Sequence, residues 1–316
     1  MSPEKPSFLA VVGPTGTGKS SLALNICEHL GARGVTAEII NVDAMQFYKG
    51  MDIGTAKLPL AERRGIEHHL LDWLELTQES TAANFQVRCR EVIEDLLRRD
   101  VLPVLVGGSM LYLAAVLNTF EFPGRDVELR AQLEQELVDL GPQAMHAKLA
   151  TLDPIAASRI EPNNGRRLVR ALEIVMITGE PFAASLPDQF VSYLPSLQIG
   201  LNSDRSNLVE RLALRVQQMW DNNIVGEVES LIPKGLRESK TARQAIGYSQ
   251  ALRELDGEIT QSEAIAETTM LTQRYARRQM SWFRRDPRIN WFDYQDPDFE
   301  SKVLKLVHSS LTDSAK

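Results

Sequence analysis

The 316-residue chain has only two cysteines, Cys27 and Cys89, which excludes a disulfide framework and leaves stability to a hydrophobic core. Both fall in apolar patterns at helical spacing (Leu22, Ile26 and Leu30; Phe85, Val92 and Ile93), the setting of buried free thiols in a reducing compartment. No run reaches the roughly 20 apolar residues that a membrane span requires. The N-terminal MSPEKPSFLAVVG turns polar again too early for a secretory signal. The expectation is a cytoplasmic protein with no membrane partner. Positive charge is also in deficit: 35 Lys and Arg against 42 Asp and Glu give −7, so any nucleic acid must be met by a local basic patch. Internal repeats, linkers and low-complexity tracts are missing, and only HSSLTDSAK at the end reads as frayed.

What is present is an average globular composition, 43% apolar and 24% charged, over a length that predicts two domains. SFLAVVG (7–13) is a short apolar run ending in glycine, as suits a buried parallel strand. AEIINVD (37–43) and VLPVLVGGS (101–109) read as two more strands, with helices after Lys19 and over 84–98 between them. Strands alternating with helices predict a parallel sheet covered on both faces. Residues 126–180 differ, being helical by pattern with no strand; PSLQIGLN (195–202) then returns to the sheet and helices follow to about Arg285.

The first strand runs into Gly13-Pro14-Thr15-Gly16-Thr17-Gly18-Lys19-Ser20, which fits G-x-x-x-x-G-K-[ST] between a strand and a helix. Glycines let the backbone curl so that successive N–H groups face phosphate oxygens, and the helix N-terminus adds its positive dipole end. Lys19 supplies a full charge, and the Ser20 hydroxyl suits a Mg²⁺ ion bridging phosphates. The pattern specifies a diphosphate or triphosphate without saying which. The fold class that follows is α/β: a P-loop core, with a parallel sheet flanked by helices, over 1–121 and 195–316, plus an inserted all-helical domain over 122–194.

Asp43 ends the second strand, at the sheet edge where ligands sit in open α/β folds. There it could assist a metal, act as a general base or merely cap a turn. The run that follows, VDAMQFYKGMDIGTAK, resembles the D-S-x-Q-x-Y-[KR]-G-x-D-I-G-T-A-K signature of the tRNA dimethylallyltransferases. GIEHHLLD (65–72), LVGGSMLYLAAVL (105–117), DPIAASRIEPNNGRRLVRALEIVMITGEPF (153–182), QAIGY (244–248) and TQRYARRQMSWFRR (272–285) are similar to further blocks of that family, in the same order. The resemblance spans about residues 8 to 293 and is far more specific than the phosphate loop alone.

It implies transfer of a dimethylallyl group from dimethylallyl diphosphate to the exocyclic N6 of the adenosine 3′ of the anticodon. The loop from Gly13 to Ser20 then holds the donor's diphosphate. Asp43 becomes the base that takes the proton of a weakly nucleophilic amine, Lys19 stabilises the departing diphosphate, and Ser20 holds Mg²⁺. An arginine clamp is implied as well; Arg211 and Arg215 lie one turn apart, and the sequence does not choose between them. Ser109, where the family usually has threonine, is expected to touch the flipped adenosine or the donor, and could also cap a helix.

The expected partners are a tRNA anticodon stem-loop and dimethylallyl diphosphate, met by a monomer. Arg274, Arg277, Arg278, Arg284 and Arg285 fall within about a third of a helix circumference, with Ala276, Met280 and Phe283 opposite, the one-sided stripe that an RNA backbone requires. The resemblance assigns tRNA contact to Arg277, Arg278, Gln279, Met280, Ser281, Trp282, Phe283 and Arg284. It also assigns Asp43, Ala44, Met45, Gln46 and Ser109, then Arg166, Arg167, Leu168, Val169 and Arg170 in the insertion, and Gln244, Ala245, Ile246, Gly247, Tyr248 and Ser249. Ala44, Asn164, Ser249 and Gln273 depart from the family pattern, all at positions expected to meet RNA. His68 and His69 raise the idea of a metal, but neighbours on a strand face opposite ways and no cysteine is near in sequence. Three rivals share parts of this reading: a P-loop small-molecule kinase, an adenylate prenyltransferase acting on free AMP, and a non-catalytic RNA-binding NTPase.

Overall fold

The computed structural model describes residues 5–119, 122, 124–182 and 190–312. The chain divides into one unit of Met1–Asn118 with Ser192–Lys316 and a second of Thr119–Val191. The expected first boundary falls at residue 121, outside the described residues.

The first unit is built on a six-stranded, all-parallel sheet: β1 (Phe8–Val12), β2 (Ala37–Asn41), β3 (His68–His69), β4 (Leu102–Val106), β5 (Ser196–Asn202) and β6 (Ile289–Asp293), in the order β3-β2-β4-β1-β5-β6. β1 lies centrally, and its continuous apolar run is buried on both sides. Phe8, Ala10 and Val12 enter one core with α2 (Ala82–Arg98), α3 (Met110–Leu117), α7 (Arg205–Asp221), α8 (Ile224–Leu231), α9 (Tyr248–Leu255) and α10 (Gln261–Phe283). Leu9 and Val11 enter the other, under α1 (Lys19–Gly31) and α11 (Phe299–Thr312). Each of the Phe, Leu and Val side chains so removed from water contributes about 1.5–3 kcal/mol.

The register matters most for function. Val11 pairs with Val106, and Val106 with Asn41, so the carboxyl ends of β1, β4 and β2 lie side by side. The phosphate loop, the Gly107–Ser109 turn and Asp43 all follow these ends directly.

Two strands lie outside the sequence expectation. β3 has two residues and β6 has a mixed burial pattern, because both are edges. The tail from His308 is also more ordered than its composition implies: 308–312 continue α11, which Val303 and Val307 anchor to the core, and 313–316 lie outside the described residues. Cys27 and Cys89 are buried free thiols, 4% and 0% exposed. No helix among the described residues is long and apolar enough to cross a membrane.

The second unit has α4 (Val127–Leu152), α5 (Pro154–Arg159) and α6 (Gly165–Thr178) around its own core of Leu133, Met145, Leu149, Leu168 and Leu172. α4 is broken at Gly141 (φ 78°, ψ 166°), where Pro142 starts its second half. Asp126, Asp153 and Asn164 cap the three helices by accepting their first backbone N–H groups.

Candidate active site

The phosphate loop curls through two left-handed glycines, Gly16 and Gly18 (both φ +84°), into the first turn of α1. Thr17 is turned inward, and its hydroxyl donates to the Pro14 carbonyl at 2.9 Å, pinning the curl. Lys19 Nζ folds back to donate to the same carbonyl at 2.8 Å. The loop lines a cavity of about 420 Å³, with Ser20 on one wall and Asp43 and Asn41 on another.

Asp43 stands two residues past β2, at the head of a short 3₁₀ turn (Ala44–Phe47). Its Oδ1 accepts from Met45 N–H at 3.2 Å, while Asn41 Oδ1 takes the Asp43 N–H at 3.0 Å, so the residue is a turn cap and a cavity wall at once. Burial raises its carboxyl above the usual range, against the opposing pull of the Met45 N–H, Lys19 and Arg215. Lys19 moves the other way. Burial lowers its ammonium to about 8, with Asp43 pulling it up and Arg215 pushing it further down. A carboxylate and a titratable ammonium thus face one space beside an anion nest.

α7 separates the two arginines that the sequence left equivalent. Arg215 is enclosed and reaches the loop, its Nη1 donating to Thr15 Oγ1 at 3.1 Å and its Nη2 to the Thr55 carbonyl at 3.4 Å. Its Nε is buried with no protein partner. Arg211 lies over the Tyr294 ring instead, 5.0 Å from the centroid, although it too lines the cavity.

Ser109 occupies the N-cap position of α3 but makes no cap bond; its Oγ accepts from Ala44 N–H at 2.9 Å, tying the 107–109 turn to the turn after Asp43. The phenol of Tyr275, on α10, lies near Ser109 and Gln279; burial, and then the negative charge of Asp43, push it up to about 12. Tyr275, Asn41 and the cavity-lining His68 were not singled out for this site by sequence. The one available signal was that Tyr275 and Gln279 sit one helical turn apart, between the arginine face and the apolar face.

The loop after the 3₁₀ turn is fixed by buried charge. Lys57, its side chain 3% exposed, donates to Asp52 at 2.7 Å, Asp72 at 2.6 Å and the Tyr48 carbonyl at 2.9 Å. Glu227 accepts from the Asp52 and Ile53 N–H groups and from the Tyr248 hydroxyl, at 2.5 Å. These bonds explain the MDIGTAK stretch as a scaffold for the cavity wall at Thr55 and Ala56.

The residues expected to meet RNA divide by burial. On α10 and just past it, Arg274, Arg277, Arg278, Ser281, Arg284 and Arg285 are exposed. None of these arginines is in an ion pair among the described residues. Gln279 (1% exposed) and Phe283 (4%) face inward, and Met280 and Trp282 are half-buried. Tyr248 is fully buried against Glu227, Ala245 and Gly247 are buried, and Gln244 is exposed, with Ile246 and Ser249 half-buried. In the second unit, Arg166 and Arg167 are exposed, whereas Leu168 and Val169 form core and Arg170 donates to the buried Glu173 at 2.8 Å. The side chains of Gln279, Phe283, Tyr248, Leu168 and Val169 are covered by the protein itself. Ala44, Met45 and Gln46 are half-buried, and Gln46 Nε2 donates to the Thr55 carbonyl at 3.1 Å.

Of the departures from the family pattern, Asn164 still caps α6, and Gln273 donates to the Val209 carbonyl at 3.3 Å. The two histidines go separate ways: His68 Nδ1 donates to the Ile66 carbonyl at 2.8 Å and His69 Nε2 meets Glu38 at 2.6 Å. Among the described residues no three His, Cys, Asp or Glu side chains group as a metal site.

With this geometry in view, the family model for IPP transferase matches residues 46–286. The tRNA dimethylallyltransferase of Thermobifida fusca is 54% identical over 307 residues, covering 96% of each chain. That of Kineococcus radiotolerans is 51% identical, covering 95% of this chain and 96% of the other. The crystal structure of the tRNA isopentenylpyrophosphate transferase from Bacillus halodurans superposes with a TM-score of 0.72 at 35% identity, covering 99% of this chain and 98% of that one. A eukaryotic dimethylallyltransferase captured acting on tRNA gives 0.81 at 26% identity, over 97% and 79%. The chain belongs to the IPP transferase family, the tRNA dimethylallyltransferases.

Proposed function

We propose that the protein transfers a dimethylallyl group from dimethylallyl diphosphate to the exocyclic N6 of the adenosine 3′ of the anticodon, releasing diphosphate. The observation that carries this reading is the shared cavity: Asp43 opposite Lys19, beside a loop shaped for an anion. Its volume falls within the roughly 300–1,000 Å³ of small-molecule sites, room for a five-carbon donor and an inserted base.

The loop amides and Lys19 hold the diphosphate. Arg215, already hydrogen-bonded to Thr15 and with its Nε unmet, serves as the clamp in preference to Arg211. N6 of the adenine donates to the Asp43 carboxylate, which orients the amine and accepts its proton as the C–N bond forms. The C–O bond of the donor breaks, and the electron pair leaves with the diphosphate, whose growing charge meets Lys19 and the α1 N-terminus. Mg²⁺ suits this site. The Ser20 hydroxyl on the cavity wall would hold the ion, which would neutralise charge on the diphosphate. The base must leave its stack to reach the cavity, and contacts with flanking nucleotides offset the few kcal/mol involved. The exposed arginines of α10, and Arg166 and Arg167 of the second unit, supply the backbone contacts. The same reading has the protein act as a monomer in the cytoplasm.

The test is mass spectrometry of nucleosides from tRNA incubated with dimethylallyl diphosphate, Mg²⁺ and the protein. One prenyl group gained on adenosine is expected, and no transfer to free AMP. Product on AMP with tRNA untouched would overturn the acceptor.

The arginines carry their own prediction. The double variant Arg277→Gln/Arg278→Gln binds an anticodon stem-loop more weakly, and the slope of log K against log salt flattens by about 0.7–0.9 per lost phosphate contact. A titration at several salt concentrations measures it; an unchanged slope removes these side chains from the RNA backbone.

A further inference from the structure

Gln279 follows two exposed arginines on α10, yet it is 1% exposed and both ends of its amide are bonded to backbone. Oε1 accepts the Thr15 N–H at 2.9 Å and Nε2 donates to the Gly108 carbonyl at 2.8 Å. One planar group thereby spans the phosphate loop and the turn after β4. A Cβ on Gly108 would stand 2.3 Å from Nε2, so a side chain there would displace the amide from its place. Thr15 is gripped from a second side by Arg215 through its hydroxyl. One helical turn earlier stands Tyr275, near both Gln279 and Ser109, and the Ser109 Oγ holds Ala44, the residue after Asp43.

We infer that Gln279 is a positioning residue, setting the phosphate loop and the Gly108–Ser109 turn at one fixed spacing so that the diphosphate and the base at Asp43 meet in register. This rests on the transfer reaction proposed above. The physical basis is the amide's dual character. It supplies one acceptor to the half-buried Thr15 N–H and one donor to the buried Gly108 carbonyl, backbone groups with no other hydrogen bond among the described residues. The Thr15 N–H is occupied by Gln279, so the amides left to face an anion begin at Gly16.

The test uses the full-length protein as wild type, Gln279→Met and Gln279→Glu. Methionine keeps the volume and makes neither bond. Glutamate loses the donor when ionised and regains it when protonated, which burial favours. Affinity for inorganic pyrophosphate is measured by calorimetry, with kcat, both KM values and the unfolding midpoint alongside. In Gln279→Met, pyrophosphate affinity falls about tenfold and kcat falls at least as much, while the tRNA KM stays within about twofold. In Gln279→Glu the loss is largest at high pH and shrinks as pH falls. It is read as a ratio to wild type because the titrating groups of the site, Lys19, Asp43 and Tyr275, are common to both proteins. Unchanged pyrophosphate affinity in folded Gln279→Met overturns the inference, as does a rise in tRNA KM alone, which would return Gln279 to direct RNA contact. If Gln279→Met fails to fold, the pH ratio of Gln279→Glu decides, a flat ratio counting against. A wild type that binds pyrophosphate in a Gln279-dependent way but prenylates no tRNA refutes the reaction and retains the positioning of the loop.

Discussion

Asp43→Asn lowers kcat for prenyl transfer by about 10²–10⁴-fold, the range for loss of a positioned general base. Asparagine is the informative replacement because its carbonyl oxygen can still accept from Met45 N–H, so the turn after β2 keeps its shape. What disappears is the group that takes the proton from N6. Binding of the donor holds or tightens, since a negative charge leaves the vicinity of the diphosphate, and tRNA binding holds because the exposed arginines are untouched. One secondary effect must be controlled. Asp43 pulls the Lys19 ammonium upward, so in the variant Lys19 titrates below its present value of about 8. Single-turnover rates compared over a range of pH separate that titration from the loss of the base. A variant with the rate of wild type would take Asp43 out of the chemistry.

Lys19→Met has the second largest effect, a loss of about 10²–10³ in kcat, with a further rise in the donor KM. The ammonium is the competent form, and burial has brought its titration close to neutrality. The sign follows: below about 8 the free enzyme offers a charged lysine to the diphosphate, and kcat/KM for the donor falls as pH rises through that value. Asp43 bounds the other side. Its carboxyl titrates above the usual range and must be ionised to act, so activity falls as pH drops through that raised value. Lys19→Arg separates the limbs, because a guanidinium stays charged and the high-pH fall vanishes. A pH profile of kcat/KM measures this, and a high-pH limb that persists in Lys19→Arg would assign it to another group.

Much of this arrangement was legible in the chain because it rests on local signals. β1 and β4 are unbroken apolar runs ending in glycine-containing turns, which is how strands covered on both faces look. The phosphate loop declares itself by spacing, and Asp43 by standing where a strand stops. The edges were not legible: two residues at His68–His69, and a β6 flanked by polar groups, carry too little pattern. The choice of Arg215 over Arg211 was also hidden, since residues one turn apart on α7 differ only in which end of the helix meets Thr15. Burial decided the fate of Gln279, Phe283 and Tyr248. Their neighbours in sequence face outward, and a motif read as one contact block does not report the phase of its helix. Gln279 is the instructive case, for a polar side chain among arginines resembles surface until its two backbone partners, 264 and 171 residues away, are known.

The two thiols have a practical corollary. Cys27 is pushed up to about 12 by burial and Cys89 still further, so neither furnishes thiolate at neutral pH, and neither opens to solvent. Thiol reagents are therefore expected to spare both cysteines in the folded protein. A single maleimide dye attached at Ser281→Cys, on the outer face of α10, will report arrival of RNA in an otherwise native background.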